Sequence, residues 1–305
     1  MSQSWKTITV KTPAPQRIDK WLAAHEPALS RRTVCALIDD GRILLNGHHV
    51  KKNTLVVAGQ LVEIQEEPAH ADWQAIPNAA INLETLYCDN AIVAVVKRSG
   101  MASTPIDPRE IGTLANGIAA TYPQCNGIGR KNGDAGLLQR LDNDTSGLLI
   151  AARSQVVFDK LMDIQKSGRF QKRYLALVAQ NAILPTSITA PLSGSDKRGR
   201  KVHVHEGGKE ATTLFTVIER GDFSLVQATI FKGFRHQIRV HLSHAGFPIA
   251  GDALYGGPAV PGLNRLFLHA SEVLFPHPIS GKPVHLKCPL PPDLAQILAD
   301  HTLQM

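Results

Sequence analysis

From Ala91 onward the chain is built of short apolar runs cut by turn residues, and this limits its fold more than any other feature. The runs AIVAVV (91–96), TTLFTVI (212–218) and SLVQATI (224–230) are short and rich in β-branched residues, so they read as strands. The last two are separated by a Gly-Asp turn at 221–222 and predict a hairpin. Gly136–Leu141 and Leu148–Ala152 read as two more short buried strands. HQIRVHLSHAG (236–246) is one of the few stretches with helical spacing, and Gly246 would stop it. Hairpins in succession with few helices imply an α+β fold on a largely antiparallel sheet. No run of about 18 apolar residues occurs, so no membrane-crossing helix is expected. The opening MSQSWKTITVKTPAPQR has no apolar signal core, which makes the cytoplasm the expected compartment. The four cysteines lie far apart with no Cys-x-x-Cys pair, against both a disulfide framework and a zinc knuckle.

The chain's beginning follows a different period. Ile18, Trp21 and Leu22 have helical spacing, as do Val34, Leu37 and Ile38, with Ser30 a plausible N-cap and Gly41 a stop for the second helix. RILLNGHHV (42–50) then reads as a strand, an Asn-Gly turn and a return strand. The opening Arg17-Ile-Asp19-Lys20, the LSRR before the second helix, DDGRILLNG and the closing Gly59 together resemble the small RNA-binding domain of ribosomal protein S4. The resemblance implies basic side chains presented to structured RNA, with Lys20, Arg31, Arg32 and Arg42 the candidates, while Arg17 and Asp19 can equally pair or cap helices. The expected organisation is an RNA-binding domain at 1–75 and a larger domain at 76–305. The Pro- and Ala-containing stretch at about 66–83 reads as a linker between them.

The net charge of +7 comes from 33 basic and 26 acidic residues, and its distribution carries the information. Between Lys166 and His241 there are 13 Lys and Arg against 5 Asp and Glu, a field suited to a polyanion such as nucleic acid. The chain has no phosphate-cradling Gly-x-x-x-x-Gly-Lys-Ser/Thr loop and no Gly-x-Gly-x-x-Gly after a strand. Ser146 lacks the Gly-x-Ser-x-Gly elbow of a hydrolase. His203 with His205, and His236 with His241, have no third ligand at metal spacing, so they read as packing or RNA-facing histidines. No metal and no cofactor is expected. What remains is Asp142 in QRLDNDTSGLLIAARS (139–154), where the bland reading is an ordinary polar turn between strands. In a basic cleft the same residue would be a carboxylate held charged, able to act as nucleophile or base.

That segment resembles the signature of the RluA-type pseudouridine synthases, His-Arg-Leu-Asp-x-x-Thr-Ser-Gly before an apolar strand. Other segments follow in the family's order: LYCDNAIVAVVKRSGMASTP, FQKRYLALV, FKGFRHQIRVHLSHAGFPIAGDALYGG and RLFLHASEVLFPHPISGKP. The resemblance spans Leu86 to Pro292 and implies a pseudouridine synthase domain, an isomerase that needs no cofactor. It implies that Asp142 is the catalytic aspartate, promoting cleavage of the uridine glycosidic bond so that the base rotates and rejoins through carbon five. It further implies that Arg140 accommodates the flipped uridine, Tyr174 stacks on the base, Arg239 pairs with Asp142 and Leu268 lines the pocket. A base must leave its stack to be modified, which suits an aromatic platform and edge contacts. Gln139 stands where the family has His, Arg98 where it has Pro, and Phe234-Arg235 where it commonly has Arg-Thr. Arg235 is expected to contact an RNA phosphate. The expected partner is RNA, large-subunit ribosomal RNA ahead of transfer RNA, with no membrane partner and a monomeric chain. The competing reading is an RNA-binding or ribosome-assembly protein without activity.

Overall fold

The computed structural model describes residues 4–26, 29, 31–66, 73–179, 184–194 and 201–302. The chain divides into two compact units, 1–72 and 73–305. In the first, β1 (Ser4–Thr9), β2 (Gln16–Arg17), α1 (Ile18–His25), α2 (Arg31–Asp39), β3 (Ile43–Leu45), β4 (His48–His49), β5 (Leu55–Val56) and β6 (Leu61–Glu66) follow in order. An antiparallel sheet of order β1-β6-β3-β4 packs on the helix pair. Its core joins Trp21 and Leu22 of α1, Val34, Leu37 and Ile38 of α2, and Ile43 and Val62 of the sheet, the apolar period read from the sequence. Arg42 donates its amide to the Leu37 carbonyl at 2.8 Å past Gly41, closing α2. Asn46 and Gly47 both have positive φ, 51° and 76°, and turn Leu45 back onto His48. The expected Ser30 cap lies outside the described residues.

The second unit contains β7 (Glu84–Cys88), β8 (Ile92–Lys97), α3 (Leu114–Thr121), β9 (Ser146–Ala152) and α4 (Gln155–Lys166). These are followed by β10 (Gln171–Ala179), β11 (Ser187–Leu192), β12 (Lys209–Arg220), β13 (Phe223–Ile230), α5 (Gln237–His244), β14 (Leu268–Pro276), β15 (Pro283–Lys287) and α6 (Pro292–Thr302). The nine strands form one sheet, ordered β11-β12-β13-β10-β14-β9-β8-β7 with β15 on β14. It is antiparallel except where β9 runs parallel to β14, pairing Ser146 with His269 and Gly147 with Ala270. Strands β8 and β9 are apolar without alternation because helices cover both faces. Val93, Val95, Leu149 and Ala151 share one core with Leu114 and Ile118 of α3, which also takes in Ile238 and Leu242 of α5. Ile92, Ala94, Leu148 and Ile150 pack with Val157, Phe158 and Leu161 of α4.

Two expectations change. Gly136–Leu141 is no strand: Gly136 has φ 77°, and only Leu137 bridges to Ala151 before the chain turns away. Within the stretch expected as linker, residues 73–83 belong to the second unit. Trp73 sits over Gly133 and Ala75 is 1% exposed. The buried Asn116 amide donates to the Ile76 carbonyl at 2.8 Å. Among the described residues no helix is long and apolar enough to cross a membrane.

Candidate active site

The turn before β9 is tied down from several sides. The Asp142 carbonyl accepts the Thr145 amide at 3.1 Å. Ser103 donates its hydroxyl to the Leu141 carbonyl and accepts the Leu141 amide, both at 3.0 Å. Lys97, at the end of β8 and 0% exposed, donates to the carbonyls of Arg98, Met101 and Asn143 at 2.9, 2.7 and 2.9 Å. Burial pushes its ammonium down to about 8, opposed by the nearby charges of Asp142 and Asp144. On the following residues, Ser99 donates to the Asp144 carbonyl at 2.9 Å, and Ser146 lies 2.9 Å from Nδ1 of the buried His269. Asp142 is thus held by its backbone while its side chain projects into a cleft.

Arg239 on α5 meets that side chain. Its Nη1 donates to Asp142 Oδ2 at 2.8 Å, while Nε and Nη2 donate to the two oxygens of Asp252, also at 2.8 Å. Asp252 is 2% exposed and Arg239 8%, so this is a buried fork between two carboxylates. Burial alone would lower the guanidinium's pKa, but the bonds from Asp252 and Asp142 outweigh it and hold the value above normal. The ring of Tyr255 lies 5.0 Å from the guanidinium carbon. Its hydroxyl is 2.9 Å from His236 Nδ1, and His236 Nε2 is 3.7 Å from Asp142 Oδ2. Burial lowers the pKa of His236; Asp142 opposes this, while Arg239 and Arg235 reinforce it, so the imidazole is biased toward its neutral form. The hydrogen bond from Arg239 and the approach of His236 both fall on Oδ2 of Asp142.

The cleft is lined by Arg140, Asp142, Tyr174, Arg239 and Leu268, so the five positions expected to form the catalytic pocket meet there, while Arg235, expected to contact phosphate, does not join them. Tyr174 comes from β10 and Leu268 from the start of β14, and the two supply apolar walls. Burial first, and Asp142 second, push the Tyr174 phenol above its usual range. Phe234 also lines the cleft, whereas Arg235 next to it is exposed and outside the lining. The sequence reading missed Asp252 and Lys97, and took His236 for a packing or RNA-facing residue. Asp252 and Tyr255 stand in the GDALYGG segment, and a buried arginine at 239 was the signal that an anion had to lie nearby.

In the first unit Asp19 is 1% exposed and accepts from both Arg17, at 3.0 Å, and Arg31, at 2.7 Å. Burial would raise the Asp19 carboxyl, but the two guanidinium groups hold it below the usual carboxylate range. Arg31 therefore anchors a buried carboxylate with a side chain that is still 54% exposed. Lys20 is exposed and Arg42 half-buried. The side chain of Arg32 lies outside the described residues.

Two family models match the chain: RNA pseudouridylate synthase over residues 91–244, and the S4 domain over residues 16–62. An RNA pseudouridine synthase of Bacillus subtilis (strain 168) is 36% identical over 93% of this chain and 93% of its own length. A protein of Xylella fastidiosa (strain Temecula1) named ribosomal large subunit pseudouridine synthase D is 32% identical over 97% and 92% of the two chains. The solved structure of human RNA pseudouridylate synthase domain containing 1 is 25% identical with a TM-score of 0.57, covering 75% of this chain and 93% of its own.

Proposed function

The chain belongs to the RNA pseudouridylate synthase family and is an RNA pseudouridine synthase, an isomerase; from that premise we propose that it converts a uridine of large-subunit ribosomal RNA, with Asp142 as the catalytic residue. The observation that carries the reading is the Asp142–Arg239–Asp252 array at the floor of a cleft walled by Tyr174 and Leu268. In the reaction the bond from the ribose C1′ to N1 of uracil breaks, the base rotates, and C1′ bonds to C5. The proton leaving C5 balances the one gained at N1, so no oxidant or co-reactant is consumed. A carboxylate oriented by one arm of an arginine whose other donors grip Asp252 serves as the group that promotes cleavage and receives a proton, and preorganised charge of this kind is worth most in a water-poor site. Tyr174 offers the aromatic face against which a base drawn out of its stack would rest, with Leu268 beside it on the adjacent strand. Arg140, exposed at the rim, is placed to hold the displaced nucleotide.

The choice of large-subunit ribosomal RNA over transfer RNA rests on relatives such as the Xylella fastidiosa protein, whose name states that substrate and which matches nearly end to end. Asp142→Asn should remove pseudouridine formation while leaving RNA affinity and thermal midpoint nearly unchanged, because it deletes only the charge. Tritium release from RNA labelled at uridine C5 measures this, and residual turnover within about tenfold of the parent would sink the assignment, since losing an essential nucleophile or base costs far more. Mapping pseudouridines in RNA from cells with and without the gene decides the substrate; a missing site in transfer RNA alone would replace the ribosomal assignment.

A further inference from the structure

Two residues before Tyr174, on the same buried alternation of β10, stands a lysine that the mechanism does not use. Lys172 is 3% exposed, and its ammonium has no hydrogen-bond or ion-pair partner among the described residues. Lys97 provides the contrast, since the other deeply buried lysine of this unit is satisfied by three carbonyls. The Lys172 ammonium lies under the loop that leaves β13. A Cβ placed on Gly233 would be 3.1 Å from Nζ, so a side chain there would press on the charged group. Ile230, which pairs with Lys172 across the ladder, and Phe234, next to Gly233, both line the Asp142 cleft. The charge therefore borders the place where the target nucleotide would enter.

An ammonium buried without an anion is costly, and the fold makes its position worse. Burial pushes it down to about 8, and the cation of Arg130 adds to the depression. A group held in this state is stabilised by whatever anion the substrate brings, and RNA carries one at every nucleotide.

We propose that Lys172 is a phosphate subsite, whose ammonium receives a backbone phosphate of the RNA beside the uridine held at Tyr174. The proposal rests on the reading of the Asp142 cleft as the active site. A neutral base carbonyl would also accept a hydrogen bond from Lys172, but it would leave the charge uncompensated within the field of Arg130, so the phosphate is favoured.

The test is the affinity of the full chain for an unmodified large-subunit ribosomal RNA transcript across a salt series, for the parent, Lys172→Met, Lys172→Gln and Lys172→Arg. Loss of one phosphate contact should weaken binding roughly tenfold and make the log–log salt slope shallower by about 0.7 to 0.9 in both neutral variants, with Arg retaining the parental slope. The thermal midpoint of Lys172→Met should stay at or above the parent's, because an unpartnered buried charge is removed; a structural role would lower it and overturn the proposal. Weaker binding with an unchanged slope assigns the contact to an uncharged group and also overturns it, as does parental affinity. Tritium release by Asp142→Asn, run on the same RNA, keeps the two readings apart. If that variant is inactive and the Lys172 slopes are parental, the subsite fails and the active-site reading stands. If Asp142→Asn turns over, the active-site reading fails whatever Lys172 shows.

Discussion

Arg239 is the residue through which the cleft's charge is organised, because one planar fork reaches both the Asp142 and the Asp252 carboxylates. Arg239→Met leaves Asp252 buried and uncompensated, which should cost about 3–5 kcal/mol of stability as well as the chemical step. Arg239→Lys restores the charge but a point cation cannot bridge both carboxylates, so stability should recover further than rate. Arg235→Met removes the same charge from an exposed position outside the lining, and should raise the apparent Michaelis constant and flatten the salt dependence. Thermal midpoints and single-turnover rates separate the variants; a chemical step lost in Arg235→Met and kept in Arg239→Met would reverse the two roles. The positions gathered here were legible unevenly. Asp142, Tyr174 and Arg239 sit in segments whose order and spacing could be matched along the chain. Asp252 could not be given a role that way, because it acts through a side-chain contact across 13 positions that only the fold of the 245–252 turn creates.

The element that places Asp142 is the start of β9, and its Thr-Ser-Gly is explained by strand packing more than by chemistry. Gly147 has φ 121°, and a Cβ there would lie 2.3 Å from the Ala270 carbonyl oxygen and 2.6 Å from its nitrogen. Those are backbone atoms of β14 at the one parallel pairing of the sheet, so neither can yield without separating the two strands. Gly147→Ala should therefore cost about 3 kcal/mol or more from backbone strain and overlap together. It should also slow the chemical step, since β9 carries the turn that aims Asp142. Denaturant unfolding and single-turnover rates measure the two effects; a variant within about 1 kcal/mol of the parent would show that the close approach is not obligatory. Strands β8, β12 and β13 were readable because their apolar runs are long enough to show. The parallel contact of β9 with β14 was not, since it joins residues 123 positions apart and leaves no mark in either run. Gly136–Leu141 was misread for a related reason. Its apolar residues are buried from a turn, and burial alone does not distinguish a turn from a strand.

Across the whole molecule, the division of labour between the two units can be tested by where the chain is cut. A cut after Asp72 removes the S4-like unit and keeps every contact of residues 73–83 with the second unit. A cut after Leu83, the far end of the linker that composition suggested, removes Trp73 from Gly133 and Ile81 from Gly117. It also takes the Ile76 and Ala75 carbonyls away from the side-chain amides of Asn116 and Asn126. Composition misled here because Pro, Ala and Asn fill this stretch, while its one large aromatic anchor and its hydrogen bonds to the rest of the unit depend on partners 33 to 60 residues later. Losing a packed Trp and leaving buried amide donors unmet costs about 3–5 kcal/mol. At about 2–4 °C per kcal/mol for a unit of this size, residues 84–305 should melt on the order of 10 °C below residues 73–305. The longer fragment should keep its single-turnover rate at saturating RNA within about threefold, because the array around Asp142 is intact, while losing about tenfold or more in affinity together with part of the salt slope. Thermal melts of both fragments and binding curves at stated salt check this. Equal affinity for the full chain and residues 73–305 would mean that the basic side chains at Lys20, Arg31 and Arg42 do not touch this RNA. Equal melting of the two fragments would mean that residues 73–83 add nothing to the second unit's stability.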